Sequence, residues 1–196
     1  MRTHTKRLVQ ALRQFFPSDS TLIGAEVGVW RGHTSMGLLQ SFSNLKLILV
    51  DPWEKAPMMN NPTMPKTESE LSSAYDEAMS LTEFASDRRI VLRDTSEAAA
   101  TQVEDGSLDF VFIDGVHMYE IPGGAGVHQD TQLWFPKVKE GGIVSGHDYN
   151  GHMDQKGIWG VKRAVDELVA EHGFDLHIAG GLVWWFVKES VLNAKT

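Results

Sequence analysis

Acidic and imidazole side chains gather where apolar runs of this sequence stop. Glu26 falls near the end of the run Thr21 to Val27, Asp51 follows Leu45 to Val50, and Asp94 follows Ile90 to Leu92. Asp114 follows Leu108 to Ile113, with His117 and Tyr119 close behind, and the pair His147 and Asp148 follows Ile143 to Ser145. A carboxylate fixed at the end of a buried strand can accept hydrogen bonds from hydroxyls or take part in a cation site. The stretch Ala25 to Ser35, AEVGVWRGHTS, adds a second kind of chemistry. Gly28 and Gly32 break the first apolar run before Ser35, Leu38, Leu39 and Phe42 recur at helical spacing. Such a strand, glycine turn and helix lets backbone approach a ligand closely and offers unpaired N–H groups at the helix start to an anion.

The spacing within that turn separates two nucleotide readings. Trp30 stands where a dinucleotide fingerprint carries its second glycine, which argues against a nicotinamide cofactor. Asp51 follows Gly28 by 23 residues, close to the offset of ~20 at which an acidic side chain receives ribose hydroxyls in βαβ units. It also reads as a turn residue ahead of Pro52. Asp94, Thr95 and Ser96 form a polar cluster that equally suits a cap for a short helix from Glu97 to Thr101.

Strands and helices alternate along the chain to position these groups. Leu8, Leu12, Phe15 and Phe16 share one helical face, so Met1 to Pro17 is expected to dock as an N-terminal helix. Thr67, with Glu70 three residues on, caps a helix whose face includes Leu71, Ala74, Tyr75, Ala78, Leu81 and Phe84. Val127, Thr131, Trp134 and Val138 suggest another helix, ended or kinked near Pro136, and Gly141 with Gly142 is expected to turn into the strand Ile143 to Ser145. Val161, Ala164, Val165, Leu168 and Val169 give a further helix ending near His172 and Gly173. Phe174 to Ala179 and Leu182 to Lys188, joined by Gly180 and Gly181, read as a hairpin, with Trp184, Trp185 and Phe186 as core or, alternatively, dimer contacts. Two long segments without periodicity, 54–67 and 150–158, are expected to border the substrate, Met58, Met59 and Met64 lining its mouth or lying idle in the first. The loop Ile121 to Gly126 is a third irregular stretch.

Composition narrows the partners. The 196 residues suit one domain, 1–196, and Lys plus Arg number 18 against 26 Asp plus Glu, a net charge of −8. Neither a broad nucleic-acid surface nor an anionic membrane is expected to bind such a chain, and a small-molecule partner is. No apolar run approaches the roughly 20 residues of a membrane span, and no secretory leader is evident, so a cytoplasmic location is expected. There are no cysteines, which removes disulfides, thiolate metal sites and cysteine nucleophiles.

Five alternations and a terminal hairpin predict a doubly wound α/β sheet with its ligands beyond the strand carboxyl ends. Together with AEVGVWRGHTS, LILVDPW, RDTSEAA, FVFIDGVH and KEGGIVSGHDY, the chain resembles the class I S-adenosylmethionine-dependent methyltransferases, and among them the small-molecule O-methyltransferases of the macrocin and catechol type. The resemblance spans about Leu22 to Lys188. It implies a Rossmann-like sheet of seven strands in the order 3-2-1-4-5-7-6, the last antiparallel, with helices on both faces. It implies S-adenosylmethionine held by Glu26 and the turn Gly28, Val29, Trp30, Gly32 and Ser35, by Asp51 and Trp53 at the ribose, by Asp94 and Thr95 at the adenine, and by Asp114.

The same resemblance implies a divalent metal, here on Asp114, His147 and Asp148, acting as a Lewis acid on the acceptor hydroxyl. Magnesium prefers oxygen ligands, so His147 points to manganese, iron or zinc, or to another role. Relatives commonly carry an acid where this chain has Val116. The acid–base duty then falls to His117 or His147, whose unperturbed pKa near 6.5 suits proton removal at neutral pH. Two other readings stay open at this stage: a nicotinamide-dependent oxidoreductase, and a non-catalytic or hydroxylase-like relative on the same sheet. A homodimer is a further expectation.

Overall fold

The computed structural model describes residues 1–54, 67–119, 126–150 and 160–189. Most of the predicted segments 54–67, 121–126 and 150–158, with Met58, Met59 and Met64, lie outside the described residues. The elements follow in the order α1 (Thr3–Leu12), β1 (Leu22–Val27), α2 (His33–Ser41), β2 (Leu45–Val50), α3 (Glu68–Leu81), β3 (Arg89–Leu92) and α4 (Ser96–Ala100). They continue as β4 (Leu108–Ile113), α5 (Val127–Trp134), β5 (Val138–Gly146), α6 (Val161–His172), β6 (His177–Ala179) and β7 (Val183–Val187).

The seven strands form one sheet in the order β3-β2-β1-β4-β5-β7-β6. β1 to β5 pair in parallel, and β7 runs antiparallel to both β5 and β6. β1, β2 and β4 are apolar at nearly every position because each is covered on both faces. One layer packs α1, α2 and α3 against Leu22, Leu47, Leu49, Phe110, Phe112 and Ile143. The other packs α4, α5 and α6 against Val27, Val50, Val111, Ile113, Val144 and Phe186. Trp184 and Phe186 are fully buried and Trp185 is 8% exposed, so this aromatic run belongs to the core. The hairpin forms as expected, with Gly180 and Gly181 both at positive φ and Leu182 N–H returning to Ala179 O.

Four expectations require correction. Val138 is not helical: it opens β5 opposite Leu108, and the register shifts before Phe110 pairs with Ile143. Gly141 and Gly142 therefore lie within an irregular strand and not ahead of it. Phe84 leaves the predicted face, because α3 ends at Leu81, where the Thr82 hydroxyl donates back to Ala78 O, and a short 3₁₀ turn from Glu83 turns Phe84 into solvent. Phe174 lies outside the hairpin, where it stacks between His172 and Phe186.

Candidate active site

Backbone hydrogen bonds continue one residue past the strands and set the first row of the site. Gly28 N–H donates to Val50 O at 2.9 Å, Asp51 to Leu92 O at 3.3 Å, Asp114 to Val27 O at 2.8 Å and His147 to Ile113 O at 3.1 Å. The residues after β1, β2, β4 and β5 are thereby held by the sheet itself, at the carboxyl edge where doubly wound folds bind ligands.

The glycine turn is shaped by protein as much as for a ligand. Gly28 has φ +91° and a Cβ there would stand 2.4 Å from Gly115 Cα, while a Cβ on Gly32, at φ +75°, would stand 2.8 Å from Ala78 Cα of α3. Both glycines are thus required by close packing of backbone, a reason the sequence reading did not supply. Trp30 also adopts a left-handed φ of 53°. Its N–H donates to Asp51 Oδ2 at 2.9 Å, and Trp53 N–H donates to Asp51 Oδ1 at 2.8 Å. The Trp53 indole N–H closes the motif on Trp30 O at 2.8 Å. Trp53 and Val29 are buried in the core, so Trp53 acts as a brace of the turn and Val29 has only its backbone to offer a ligand.

Glu26 is 1% exposed, and its carboxylate accepts a hydrogen bond from the buried Ser35 hydroxyl. Burial pushes Glu26 well above the usual carboxyl range, against the Ser35 bond, and the neighbouring Asp114 and Asp51 charges push the same way. Burial also raises Asp51, opposed by its backbone N–H donors. Glu26 and Asp51, at adjacent strand ends, have no ion-pair partner among the described residues and form, beside Asp114, a cradle that a positively charged ligand would relieve. S-adenosylmethionine, with its sulfonium and ammonium groups, fits that requirement.

Asp94 and Thr95 stand at the end of β3. Thr95 caps α4 by accepting Ala98 N–H at 3.3 Å, and Asp94 Oδ1 accepts Thr95 N–H at 2.9 Å. Their local role is the cap, and among the described residues no hydrogen bond or ion pair joins them to the acidic cradle.

Asp114, His117, His147 and Asp148 come together in one cluster. His117 Nε2 lies 2.9 Å from Asp148 Oδ2 and 3.5 Å from Asp114 Oδ1, and His147 Nδ1 lies 3.3 Å from Asp148 Oδ1 and 3.5 Å from Asp114 Oδ1. Asp148 reaches them from a left-handed φ of 58°, a strain the surrounding bonds must hold in place. Burial disfavours charge on both rings, yet the hydrogen bonds and charges of the two carboxylates outweigh it, raising His117 to about 9 and His147 to about 10. The same histidines hold Asp114 and Asp148 below the usual carboxylate range in spite of burial. The unperturbed value near 6.5 therefore does not apply here: as the cluster stands, both rings are cationic at neutral pH and neither is a ready base.

A divalent cation fits this donor set. One ligand atom each of Asp114, His117 and Asp148 lies within 4.8 Å of the others. Two carboxylates are balanced here by two imidazolium protons, and a dication with two neutral rings would balance them equally well. The geometry groups His117, in place of the expected His147, with Asp114 and Asp148; His147 Nδ1 faces the same two carboxylates from beside them, and its Nε2 is buried without a hydrogen-bond partner among the described residues.

Two residues of the site's surroundings carry no sequence signal. His4 of α1 packs its ring 4.7 Å from that of His147. Asp130 of α5 is 2% exposed, is pushed up to about 7 by burial against its Ser96 hydrogen bond, and leaves Oδ1 unpartnered. Neither lies near a strand end in sequence, where ligand groups are sought.

A family model described as a methyltransferase domain matches residues 25–149. The chain belongs to this methyltransferase family. Its sheet order is the one the resemblance to class I methyltransferases implies, and the nicotinamide reading is set aside. A putative caffeoyl-CoA O-methyltransferase from Staphylococcus aureus is similar in structure, with a TM-score of 0.68 at 15% identity over 96% of this chain and 84% of that one. The O-methyltransferase TomG from Streptomyces achromogenes, in complex with SAM, gives a TM-score of 0.65 at 13% identity over 97% and 82%. In sequence, 95 residues are 26% identical to the uncharacterized protein y4gI of Sinorhizobium fredii, covering 48% of this chain and 10% of that protein. The chain thus spans at most a small part of the length of that curated relative. Among the described residues no helix is long and apolar enough to cross a membrane.

Proposed function

We propose that this methyltransferase transfers the methyl group of S-adenosylmethionine to a hydroxyl of a small molecule. The observation that carries the reading is the joining of the cluster Asp114, His117, His147 and Asp148 to the buried carboxyl cradle of Glu26 and Asp51 through one shared residue, Asp114. The cofactor supplies an electrophilic methyl group on a sulfonium; its cationic end suits the cradle, and Asp51 suits its ribose hydroxyls. The backbone of Gly28 to Gly32, fixed by packing and by Asp51, orients the ligand. A divalent metal on Asp114, His117 and Asp148, with His147 beside them, would supply Lewis acidity to the acceptor oxygen.

In the reaction the acceptor oxygen forms a bond to the methyl carbon as the carbon–sulfur bond breaks, S-adenosylhomocysteine departs, and the hydroxyl proton passes to His117 or His147 in its neutral form. His117 and His147 are the groups that hold a proton at this edge, on Nε2 and Nδ1. Catalysis then rests on alignment of the oxygen with the methyl group and on removal of its proton. The structures of two O-methyltransferases with the same fold support oxygen as the acceptor atom. The test is a thermal-shift series with S-adenosylhomocysteine, alone and with Mn2+, Mg2+ or Zn2+, followed by an acceptor panel of sugars, phenols and carboxylates read by S-adenosylhomocysteine release. Stabilisation by S-adenosylhomocysteine and turnover of a hydroxyl acceptor are expected. No binding at high micromolar concentration overturns the cofactor reading, and binding without turnover across the panel favours a non-catalytic relative.

A further inference from the structure

We infer that His4, from the N-terminal helix, is a positioning residue of the acceptor-side cluster: it holds the His147 ring with Nδ1 toward Asp114 and Asp148 and ties that ring to α2, the helix that follows the glycine turn. The inference rests on the cluster being the acceptor or metal side of the methyl-transfer site proposed above.

His4 is joined to two parts of the site at once. Its ring lies 4.7 Å from the His147 ring, tilted by 52°. Its Nε2 lies 3.0 Å from Thr34 Oγ1, on the second residue of α2. Thr34 is 5% exposed and also meets Thr5 Oγ1 at 3.4 Å. The helix that delivers His4 is itself firmly seated: Leu8 and Leu12 are fully buried, and a Cβ on Gly37 of α2 would stand 2.5 Å from Thr5 Cγ2. α1 and α2 are therefore in close contact at the turn that carries His4, and the ring has little freedom to leave His147.

His147 needs such a support. Its Nδ1 is directed at two carboxylates, but its Nε2 is buried with no hydrogen-bond partner among the described residues. A histidine that faces a metal site's carboxylates needs its ring plane fixed, and a hydrogen bond on the second nitrogen ordinarily does this for the ligand histidines themselves. Here the backbone of His147 is anchored, with its N–H on Ile113 O and its O receiving the Trp184 indole N–H at 3.2 Å. Rotation of the side chain is left to packing, and His4 supplies a packing surface. Supporting groups of this kind typically change metal affinity by roughly 10–100-fold when removed.

The experiment compares the wild-type protein with His4→Ala, which removes both contacts, and His4→Phe, which keeps a ring against His147. Three readouts are taken: Mn2+ affinity by electron paramagnetic resonance of the free ion, S-adenosylhomocysteine affinity by calorimetry, and the side-chain 15N and 1H shifts of His147 in the metal-free protein. For His4→Ala we expect Mn2+ binding weakened by about tenfold, unchanged S-adenosylhomocysteine affinity, and shifted His147 resonances. His4→Phe is expected to recover most of the Mn2+ affinity. Mn2+ affinity in His4→Ala within twofold of wild type overturns the inference, as does an equal loss of S-adenosylhomocysteine affinity or a His4→Phe variant no better than His4→Ala. If the wild-type protein binds no Mn2+, the metal reading itself fails. The His147 resonances then decide the inference alone, and identical shifts in wild type and His4→Ala overturn it.

Discussion

Gly28 and Gly115 meet backbone to backbone, so that a Cβ on Gly28 would stand 2.4 Å from the Gly115 Cα and 2.5 Å from Asp114 O. The contact joins the end of β1 to the end of β4, and with it the glycine turn to the residue that begins the cluster of Asp114, His117, His147 and Asp148. Gly28→Ala must either separate these two strand ends or strain a backbone at φ +91°. We expect a loss of about 2–4 kcal/mol, from overpacking and from a left-handed non-glycine conformation. Thermal unfolding should then shift down by roughly 5–15 °C, and S-adenosylhomocysteine affinity should fall with it. A melting point within a degree of wild type would show that the strand ends separate freely.

Asp51 is a second joint, because both its oxygens accept backbone N–H groups of the turn. Asp51→Asn presents an NH2 group to one of those donors. A buried donor then loses its partner, at a cost of about 1–3 kcal/mol. Weaker S-adenosylhomocysteine binding, by about tenfold or more, is expected in calorimetry. Unchanged affinity with lowered stability would confine Asp51 to bracing the turn.

The sheet was legible because β1, β2 and β4 are covered on both faces and write themselves as nearly continuous apolar runs, broken by Lys46 and Asp109, with Glu26, Asp51 and Asp114 at or beside their ends. Where the pattern failed, a tertiary contact had replaced a local rule. Val138 continues a helical spacing, yet pairing with Leu108 draws it into β5, and the glycine pair behind it hides the strand by bending it. The carboxylates and histidines of the site were likewise legible as strand-end residues. Their charge states were not, since His117 and His147 owe theirs to carboxylates that the fold brings within 3.5 Å. His4 lay beyond reach for the same reason: a helix at the start of the chain meets a strand end near residue 147 only in three dimensions.

Glu26 gives a test of the cradle. Burial raises its carboxyl well above the usual range, which favours the protonated form in the ligand-free protein, and an entering cation should favour ionisation. Cofactor binding is therefore expected to release a proton, seen as a dependence of the calorimetric heat on the buffer's ionisation enthalpy. In Glu26→Gln that dependence should vanish and affinity for S-adenosylmethionine should fall about tenfold or more, while stability of the free protein holds at neutral pH. A retained buffer dependence would assign the proton to another group.

Asp130 predicts a stability effect away from the reacting groups. Burial raises it to about 7 in the folded protein, above the unfolded value near 3.9. Its contribution is most favourable below the unfolded value and is lost as pH rises through about 7. Asp130→Asn keeps the shape and an acceptor for Ser96 without the charge. Its melting temperature relative to wild type is expected to climb between pH 4 and pH 7 and to level off above. A constant difference across that range would mean that the wild-type carboxylate ionises without cost.

The cluster of two aspartates and two histidines has a pH signature of its own. His117 and His147 are raised to about 9 and about 10, from an unfolded value near 6.5, so their stabilisation is full below that value and fades as pH rises through 9 to 10. Asp114 and Asp148 are lowered, so theirs is full above their unfolded value near 3.9 and fades on acidification. In the metal-free protein the cluster should stabilise most between about pH 4 and pH 6.5. A dication competes with the two imidazolium protons and should show the opposite trend, with Mn2+ or Zn2+ raising the melting temperature more at pH 8.5 than at pH 6. His117→Gln and His147→Gln each remove one competing proton and one candidate ligand, so each should flatten the metal-free curve on its alkaline side. Metal-induced stabilisation that does not change with pH in the wild-type protein would place the ion elsewhere on the molecule.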